Sequence, residues 1–371
     1  MKISCNQQIL SKALNTVSKA VSSRTTIPIL KGILLEASSD GTLKLAASDL
    51  DLSIEKSIPV TVWEEGSIVV AAKLFIDIIR KLPNEEIEIT EEEGRVTIKC
   101  LASEFTIVGQ TADEFPSIGT IKEENSIRIE KELLKDMIKK TSFSASIEEA
   151  KGIIIGVLLE MDEEGMTMVA LDGFRMAVTR EKMESNDNIK IIIAARILNE
   201  INKIFSEEEA SKEVDMIIDE KKAVFLIEGA RIVLRIMEGE FVKYKDILPK
   251  EHQCKLKVNR SEMIDCLERA SLLAKEGRNN LIKFSIVRDK IIITSRSEEG
   301  NVKEEIFVEK EGADLEIGFN AKYILDVMKV VSDEEVVMEF NTSVSPCLVK
   351  PIEGEGFEYL ILPVRISTKT F

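Results

Sequence analysis

Residues that commonly carry out catalysis are few and scattered along this chain. His252, the single histidine, lies in the polar stretch 250–253, which is more typical of an exposed linker than of a general base. The acidic runs at 91–93 and 207–209 are typical of solvated turns. The sequence has no glycine-rich phosphate loop, no nucleophile elbow and no metal-ligand spacing of His and Cys. We therefore predict a protein that is not an enzyme and that needs no cofactor or metal.

The composition indicates a globular chain with separate hydrophobic cores. The 371 residues are 44% hydrophobic and 31% charged, and no run approaches the roughly 20 apolar residues of a membrane helix. The five cysteines are odd in number and widely spaced, so we expect them to be reduced and structural: Cys5, Cys100, Cys254, Cys266 and Cys347. The N-terminus has no apolar signal core, which predicts a cytoplasmic protein without membrane contact.

One short pattern occurs three times and predicts the organisation of the chain. In each copy an apolar step and a small or Asn residue precede a basic residue, and an acidic residue follows four positions later. The basic residues are Lys73, Arg196 and Lys322, separated by 123 and 126 residues. A period of this size is far longer than a solenoid repeat and indicates tandem domains of similar fold.

The elements around these motifs repeat in the same order. Helical spacing of apolar residues predicts helices at 7–21, 72–81, 130–141, 195–206, 259–276 and 320–331. Alternating runs predict strands between them, including a strand at 153–160 and a hairpin turning at Asp40-Gly41. We predict an α+β protein of three repeats, each with two helices and two small antiparallel sheets. The expected domains are 1–122, 123–250 and 251–371.

Positive charge is concentrated in the predicted helices. The whole chain carries a net charge of −16, whereas the six predicted helices together carry +6. Because Lys is a good helix former and exposed helix faces are commonly charged, this enrichment has an ordinary structural explanation. The alternative is that six helices present one mildly basic surface, which would suit a protein that surrounds a polyanion without gripping it.

Several motifs at matching positions in the three thirds resemble the bacterial sliding clamp family, the beta subunits of DNA polymerase III. They are the segments 24–30, 170–178, 238–241 and 362–365, and the resemblance covers essentially the whole chain. It implies a head-to-tail homodimer closed into a ring, with twelve helices inside and the sheets outside. The ring would encircle double-stranded DNA independently of sequence and give processive DNA replication.

The resemblance also implies three sets of site residues. The DNA contacts would be Arg24, Lys73, Lys135, Lys139, Lys151, Arg196 and Lys322. A pocket for short partner peptides would be formed by Ile154, Leu171, Gly173, Phe174, Arg175, Met176, Val242, Ile247, Leu360, Leu362, Pro363, Val364 and Arg365, with residues 366–371 running past its edge. The subunit interface would include Phe105 and Ile107 of one chain and Leu272 and Leu273 of the other.

The partners that this family implies are the catalytic subunit of the replicative polymerase, the clamp loader complex, and replication and repair proteins with a clamp-binding motif. A protein-interaction scaffold that does not bind DNA is the competing hypothesis, and the net charge favours it. Binding of single strands by stacking is disfavoured, because aromatic residues make up 5% of the chain.

Overall fold

A computed structural model describes residues 1–22, 25–119, 126–183, 188–207, 211–219, 221–277 and 280–366. Within these residues the chain forms two compact units. The N-terminal unit comprises Met1–Lys135 and Glu200–Ile236, and the C-terminal unit comprises Asp136–Asn199 and Met237–Phe371. Each is a helix-and-sheet structure, as expected of the α+β class. No helix of the described residues is long and apolar enough to cross a membrane.

The described residues contain six α-helices, close to the predicted positions. They are α1 (Gln7–Val17), α2 (Ala72–Lys81), α3 (Lys131–Ser142), α4 (Ala195–Glu207), α5 (Arg260–Ala274) and α6 (Ala321–Val330). The helix predicted at 7–21 ends at Val17, and a 3₁₀ turn follows at Ser18–Ala20. The Ser18 hydroxyl donates to the carbonyl of Asn15 at 2.7 Å, a local bond of the kind that competes with a continuing helix.

The strands of the first repeat are β1 (Lys2–Asn6), β2 (Gly32–Ser38), β3 (Thr42–Ser48), β4 (Leu52–Pro59), β5 (Thr61–Glu64), β6 (Gly66–Ala71), β7 (Glu86–Glu92), β8 (Arg95–Cys100) and β9 (Ser103–Gln110). Those of the second are β10 (Ile127–Glu130), β11 (Gly156–Asp162), β12 (Gly165–Leu171), β13 (Arg175–Glu181), β14 (Ile189–Ala194), β15 (Glu213–Ile218), β16 (Lys222–Ile227) and β17 (Ala230–Arg235). Those of the third are β18 (Cys254–Asn259), β19 (Leu281–Val287), β20 (Lys290–Ser297), β21 (Gly300–Phe307), β22 (Glu309–Gly312), β23 (Leu315–Asn320), β24 (Glu335–Phe340), β25 (Cys347–Pro351) and β26 (Phe357–Ile361).

The predicted strand at 153–160 begins later than expected. Residues 153–155 belong to the 3₁₀ segment Glu149–Ile155, and β11 begins at Gly156. A Cβ at that position would lie 2.5 Å from the Ile192 side chain, so the close approach of β14 requires glycine there. The predicted hairpin at Asp40-Gly41 is confirmed, because β2 and β3 pair around Gly41, whose φ is +83°.

The sheets join strands from neighbouring repeats. The N-terminal unit has a 13-stranded sheet in the order β10-β15-β16-β17-β4-β3-β2-β6-β9-β8-β7-β1-β5. The C-terminal unit has a nine-stranded sheet, β14-β11-β12-β13-β26-β25-β24-β18-β22, and a four-stranded sheet, β21-β20-β19-β23. The strand pairs β17–β4 and β13–β26 connect consecutive repeats through full antiparallel registers.

Apolar helix faces pack on these sheets and leave the charged faces outside. In α2 the side chains of Phe75, Ile78 and Ile79 are buried, whereas Lys73 and Arg80 are exposed. In the C-terminal unit one large core joins α5 and α6 to β18, β19, β23 and β24, and it includes Phe284, Phe319 and Phe340. Burial of these aromatic side chains is a major source of stability for the unit.

Candidate functional site

The three repeated basic residues occupy the same position in their helices. Lys73, Arg196 and Lys322 are each the second residue of α2, α4 and α6, directly after a buried alanine. All three side chains are exposed. A cation near a helix N-terminus opposes the helix dipole and costs about 0.3–1 kcal/mol. The helix dipole therefore does not favour a basic residue at this position.

The observed helix boundaries preserve the predicted charge separation. By residue count the six α-helices carry a net charge of +5, although α4 is neutral and α5 carries −1. The remaining residues therefore contribute −21 to the net charge of −16. The basic surface is thus concentrated on α2 and α3, which carry +2 each.

Several of the predicted DNA contacts are partly neutralised by acidic neighbours. Lys135 pairs with Glu132 at 3.0 Å and Lys151 with Glu148 at 3.1 Å, and Lys322 pairs with Asp326. Among the described residues, Lys73 and Lys139 have no such partner. Arg24 lies outside the described residues. A surface of this kind attracts phosphates weakly, because each paired lysine must release its carboxylate to bind one.

Strand alternation divides the predicted peptide-pocket residues between two faces. Leu171, Met176 and Leu360 lie in one apolar cluster, and Ile154 packs against it. Met176 lies opposite both Leu171 on β12 and Leu360 on β26. Arg175, the preceding residue of β13, points to the other face, where it contacts Phe143 and Tyr323. The family resemblance predicts all of these residues at one pocket, and within β13 the side chains of Arg175 and Met176 lie on opposite faces.

A tight turn at residues 172–175, between β12 and β13, borders the apolar cluster. The Asp172 carboxylate accepts hydrogen bonds from the backbone N–H groups of Phe174 and Arg175 at 2.8 and 3.0 Å. Gly173 between them has a φ of +93°, a conformation that favours glycine. This turn exposes the Phe174 ring, which stacks on Tyr323 with 6.3 Å between ring centroids.

The C-terminal segment and the joint before β18 complete this edge. The backbone N–H of Leu362 donates to the carbonyl of Phe174 at 2.9 Å, and that of Val364 donates to Gly318 at 2.8 Å. Leu362 is partly exposed, as are Val242 and Ile247 in the joint. The segment also includes Pro363 and the exposed Arg365, whereas residues 367–371 lie outside the described residues. The apolar side chains around the turn are thus available to a ligand.

On the opposite face, Arg175 is the centre of a polar cluster. Its guanidinium donates to Asp172 at 3.1 Å, to Asp326 at 2.6 Å and to the carbonyl of Phe143 at 2.9 Å. A neighbouring cavity of about 570 Å³ includes Phe143, Tyr323 and Asp326 in its walls. These three residues were missing from the predicted site. The repeated spacing of Lys322 and Asp326, one helical turn apart, was the signal that could have indicated Asp326.

The residues predicted at a subunit interface lie beside open strand edges. Within the described part of the chain, the stretch 103–108 of β9 pairs with β8 alone. Strand β21 likewise pairs with β20 alone. Phe105 is exposed and Ile107 is buried. Leu272 is 67% exposed on α5, whereas Leu273 is partly buried. Val108 on β9 and Phe307 on β21 are also exposed, and sequence reasoning missed both.

Two kinds of potentially reactive side chain remain, the histidine and the cysteines. His252 is exposed, and its Nδ1 lies 3.6 Å from a carboxylate oxygen of Glu339. The described part of the chain has no group of His, Cys, Asp and Glu side chains that could hold a metal ion. All five cysteines are free and buried.

Comparison with known proteins gives matches along the whole chain. The N-terminal, central and C-terminal domain models of the DNA polymerase III beta subunit match residues 1–119, 128–243 and 245–365. The beta sliding clamp of Halalkalibacterium halodurans is 35% identical and is aligned over 97% of this chain and 98% of its own length. That of Staphylococcus epidermidis is 32% identical, over 98% and 99%.

Solved structures give the same result for the fold. The DNA polymerase sliding clamp of Bacillus subtilis is 34% identical, with a TM-score of 0.94 over 99% of this chain and all of that one. The DNA polymerase III beta subunit of Thermotoga maritima is 28% identical, with a TM-score of 0.93 over the same shares. The predicted repeat of clamp domains therefore agrees with both kinds of comparison.

Proposed function

This chain belongs to the family of DNA polymerase III beta subunits, and from that membership we propose that it acts as a non-catalytic sliding clamp. Two chains close into a ring around duplex DNA and tether the replicative polymerase in the cytoplasm. The observation that carries the proposal is the exposed basic residue at the second position of α2, α4 and α6. Its position is unfavourable for the helix, and an inward-facing contact with phosphate accounts for it.

DNA binding in this proposal is weak and independent of sequence. Lys73, Arg196 and Lys322 contact phosphates from one repeat each, supported by Lys135, Lys139, Lys151 and Arg24. Phosphate contacts carry no sequence information, so the ring can slide. The ion pairs of Lys135, Lys151 and Lys322 limit the strength of each contact. Long residence on DNA then comes from the closed ring.

Ring closure is proposed to join the two open edges described above. Residues 103–108 of β9 in one subunit would pair with β21 of the other, and both edges would be covered. Phe105, Ile107, Leu272 and Leu273 supply apolar contacts beside this junction. Three clamp domains per chain, at 1–122, 123–250 and 251–371, would then place twelve helices around the hole.

Partner proteins are proposed to bind at the apolar edge of the C-terminal unit. The polymerase, the clamp loader and repair proteins would each insert a short peptide there. Leu171, Met176, Leu360, Ile154 and Leu362 form its apolar wall, together with Val242, Ile247, Pro363 and Val364. Apolar anchors of this kind supply affinity, and the backbone groups at Gly173 and Phe174 fix the register of the peptide. Arg365 lies at the exposed rim, and Arg175 lies on the opposite face of β13 from the apolar wall.

The deciding experiment measures retention on a nicked circular plasmid after loading by a clamp loader with ATP. A topological link predicts that the protein stays on the circle and leaves when the plasmid is linearised. Retention on the linear plasmid would show direct gripping and would refute the sliding mechanism. Failure to load, with peptide binding intact, would instead support a scaffold that does not use DNA.

Charge reversal tests the proposed inner surface. Changing Lys73, Arg196 and Lys322 to Glu should reduce loading while dimer formation and peptide binding persist. The matched control reverses Arg95, Lys182 and Lys255, which lie in or beside strands and give the same change in net charge. Equal loss of loading in both triple variants would mean that total charge, and not this surface, determines the result.

A further inference from the structure

A second groove lies in the N-terminal unit. Its volume is about 310 Å³, and it is lined by residues of three segments: 48–53, 116–119 and the strand region around Lys222 and Val233. The floor is apolar, because Ile118 packs against the buried side chains of Val224 and Val233. Leu50 forms one wall and is more than half exposed.

The turn beside this groove repeats the turn at Asp172. The Asp49 carboxylate accepts from the backbone N–H groups of Asp51 and Leu52 at 3.1 and 2.7 Å. The Asp49 N–H donates to the carbonyl of Leu52 at 3.0 Å, as Asp172 does to Arg175 at 3.2 Å. The same backbone frame therefore borders an apolar surface in both the first and the second repeats.

Leu50 takes the place that glycine has in the second turn. Its φ is +78°, against +93° for Gly173. A leucine in this region of backbone space is strained by about 1–2 kcal/mol, which glycine would avoid. Strain of this kind is typical of functional positions. Here it holds an apolar side chain at the mouth of the groove.

The rim of the groove is basic in a chain that is strongly acidic. Lys221, Lys222 and Arg235 are exposed lining residues, and none has a hydrogen-bonded or ion-paired side chain among the described residues. Among the described lining residues, Asp51 is the one that is acidic. These described residues carry a net charge of +2, whereas the whole chain carries −16. Three cations without an ion pair to the described residues, around an apolar floor, favour an acidic ligand with an apolar group.

We propose that this groove binds a short acidic peptide segment of a partner protein, with one apolar side chain inserted between Leu50, Ile118 and Val233. The carboxylates of the segment lie against Lys221, Lys222 and Arg235. A nucleic acid would satisfy the cations but not the apolar floor, and the volume admits one or two side chains. This site shares no lining residue with the proposed peptide surface of the C-terminal unit and does not require DNA.

The test measures fluorescence anisotropy of labelled pentapeptides with the full-length protein at low ionic strength. The probe Glu-Asp-Ile-Asp-Glu should bind at least fivefold more tightly than Glu-Asp-Ser-Asp-Glu, which lacks the apolar anchor. Unlabelled Lys-Lys-Ile-Lys-Lys should not displace the acidic probe from the groove, whereas unlabelled Glu-Asp-Ile-Asp-Glu should. If the basic peptide displaces the probe as well as the acidic peptide does, or if the acidic probe does not bind, the proposal is wrong.

Variants locate the binding. Lys222→Glu with Arg235→Glu should weaken binding of the acidic probe at least tenfold, and Leu50→Gly about fivefold without loss of folding. The matched control, Arg95→Glu with Lys99→Glu on β8, should stay within twofold. Val242→Asp, at the proposed peptide surface of the C-terminal unit, should also leave binding unchanged. The proposal is overturned if the groove variant and the β8 variant weaken binding of the probe equally. It is also overturned if a 20-base-pair duplex displaces the probe at a lower concentration than the unlabelled peptide does.

Discussion

Replacing Arg175 by Met should destabilise the C-terminal unit although the new side chain is apolar and of similar length. The guanidinium is 8% exposed and holds Asp172 and Asp326, whose side chains are 13% and 25% exposed. Removing one partner of a fully buried ion pair costs about 3–5 kcal/mol, because a charge is left without compensation. Here Asp172 keeps its two backbone donors and Asp326 keeps Lys322.

Those remaining partners reduce the expected loss to about 2–3 kcal/mol, since each carboxylate stays partly compensated. For a unit of about 200 residues, such a change lowers the melting temperature by roughly 4–12 °C. Lys322→Met is the control. That side chain is 61% exposed, so the loss of its ion pair should cost less than about 1 kcal/mol.

Differential scanning calorimetry of four proteins completes the experiment: the natural protein, Arg175→Met, Asp326→Asn and the double variant. Because the two side chains share one hydrogen bond, their effects should be non-additive by about 0.5–3 kcal/mol. A fall of less than 2 °C for Arg175→Met, or additive effects in the double variant, would refute the assignment of Arg175 as the centre of this cluster.

Three further predictions concern the subunit edge, the thiols and acid stability. Leu272→Asp places a charge in the apolar contact and should therefore convert the proposed dimer to monomers. Leu74→Asp, on the exposed face of α2, should leave the dimer intact. Light scattering measures the mass of both variants, and an unchanged mass for Leu272→Asp would contradict the interface. Burial, followed by the nearby Glu86, raises the pKa of the Cys5 thiol to about 12. Burial is also the largest cause of the raised pKa of the other four cysteine thiols. A thiol reagent at pH 8 should therefore react slowly with every cysteine of the native protein and rapidly with all five after unfolding. Hydrogen bonds from Lys290, then Lys303, lower the pKa of Glu305 to about 2 from an ordinary value of 4.5. The ionised Glu305 carboxylate therefore stabilises the folded protein fully above pH 4.5, and this stabilisation is lost as the pH falls toward 2. The melting temperature of Glu305→Gln should lie below that of the natural protein at pH 7 and approach it near pH 2. A difference in melting temperature that persists unchanged at pH 2 would contradict this prediction.

The ordering of elements was accessible from the sequence because it depends on local patterns. Apolar spacing in α2, α4 and α6 follows the 3.6-residue period, and the Asp-Gly turn of the first hairpin requires a positive φ that glycine adopts easily. The three-part period was also visible, since the same helix start, with a basic second residue, occurs in each repeat. Where a prediction was wrong, as at 153–160, a tertiary contact was responsible: β14 packs too closely on Gly156 for periodicity alone to show where the strand begins.

The sequence by itself determined the class of the protein, the repeat, and the net positive charge of the helices taken together against a negative remainder of the chain. Composition and period do not depend on long-range contacts. Tertiary structure decided which neighbours face the same side. It placed Met176 and Leu360 on one face and Arg175 on the other, and it joined Arg175 to Asp326 across 151 residues. Among the described residues it left β21 and the stretch 103–108 of β9 each paired on one side alone. It also formed the groove at Leu50, whose walls come from segments more than 60 residues apart in the chain. Such contacts depend on sheet register and packing between distant segments, which a linear pattern does not contain.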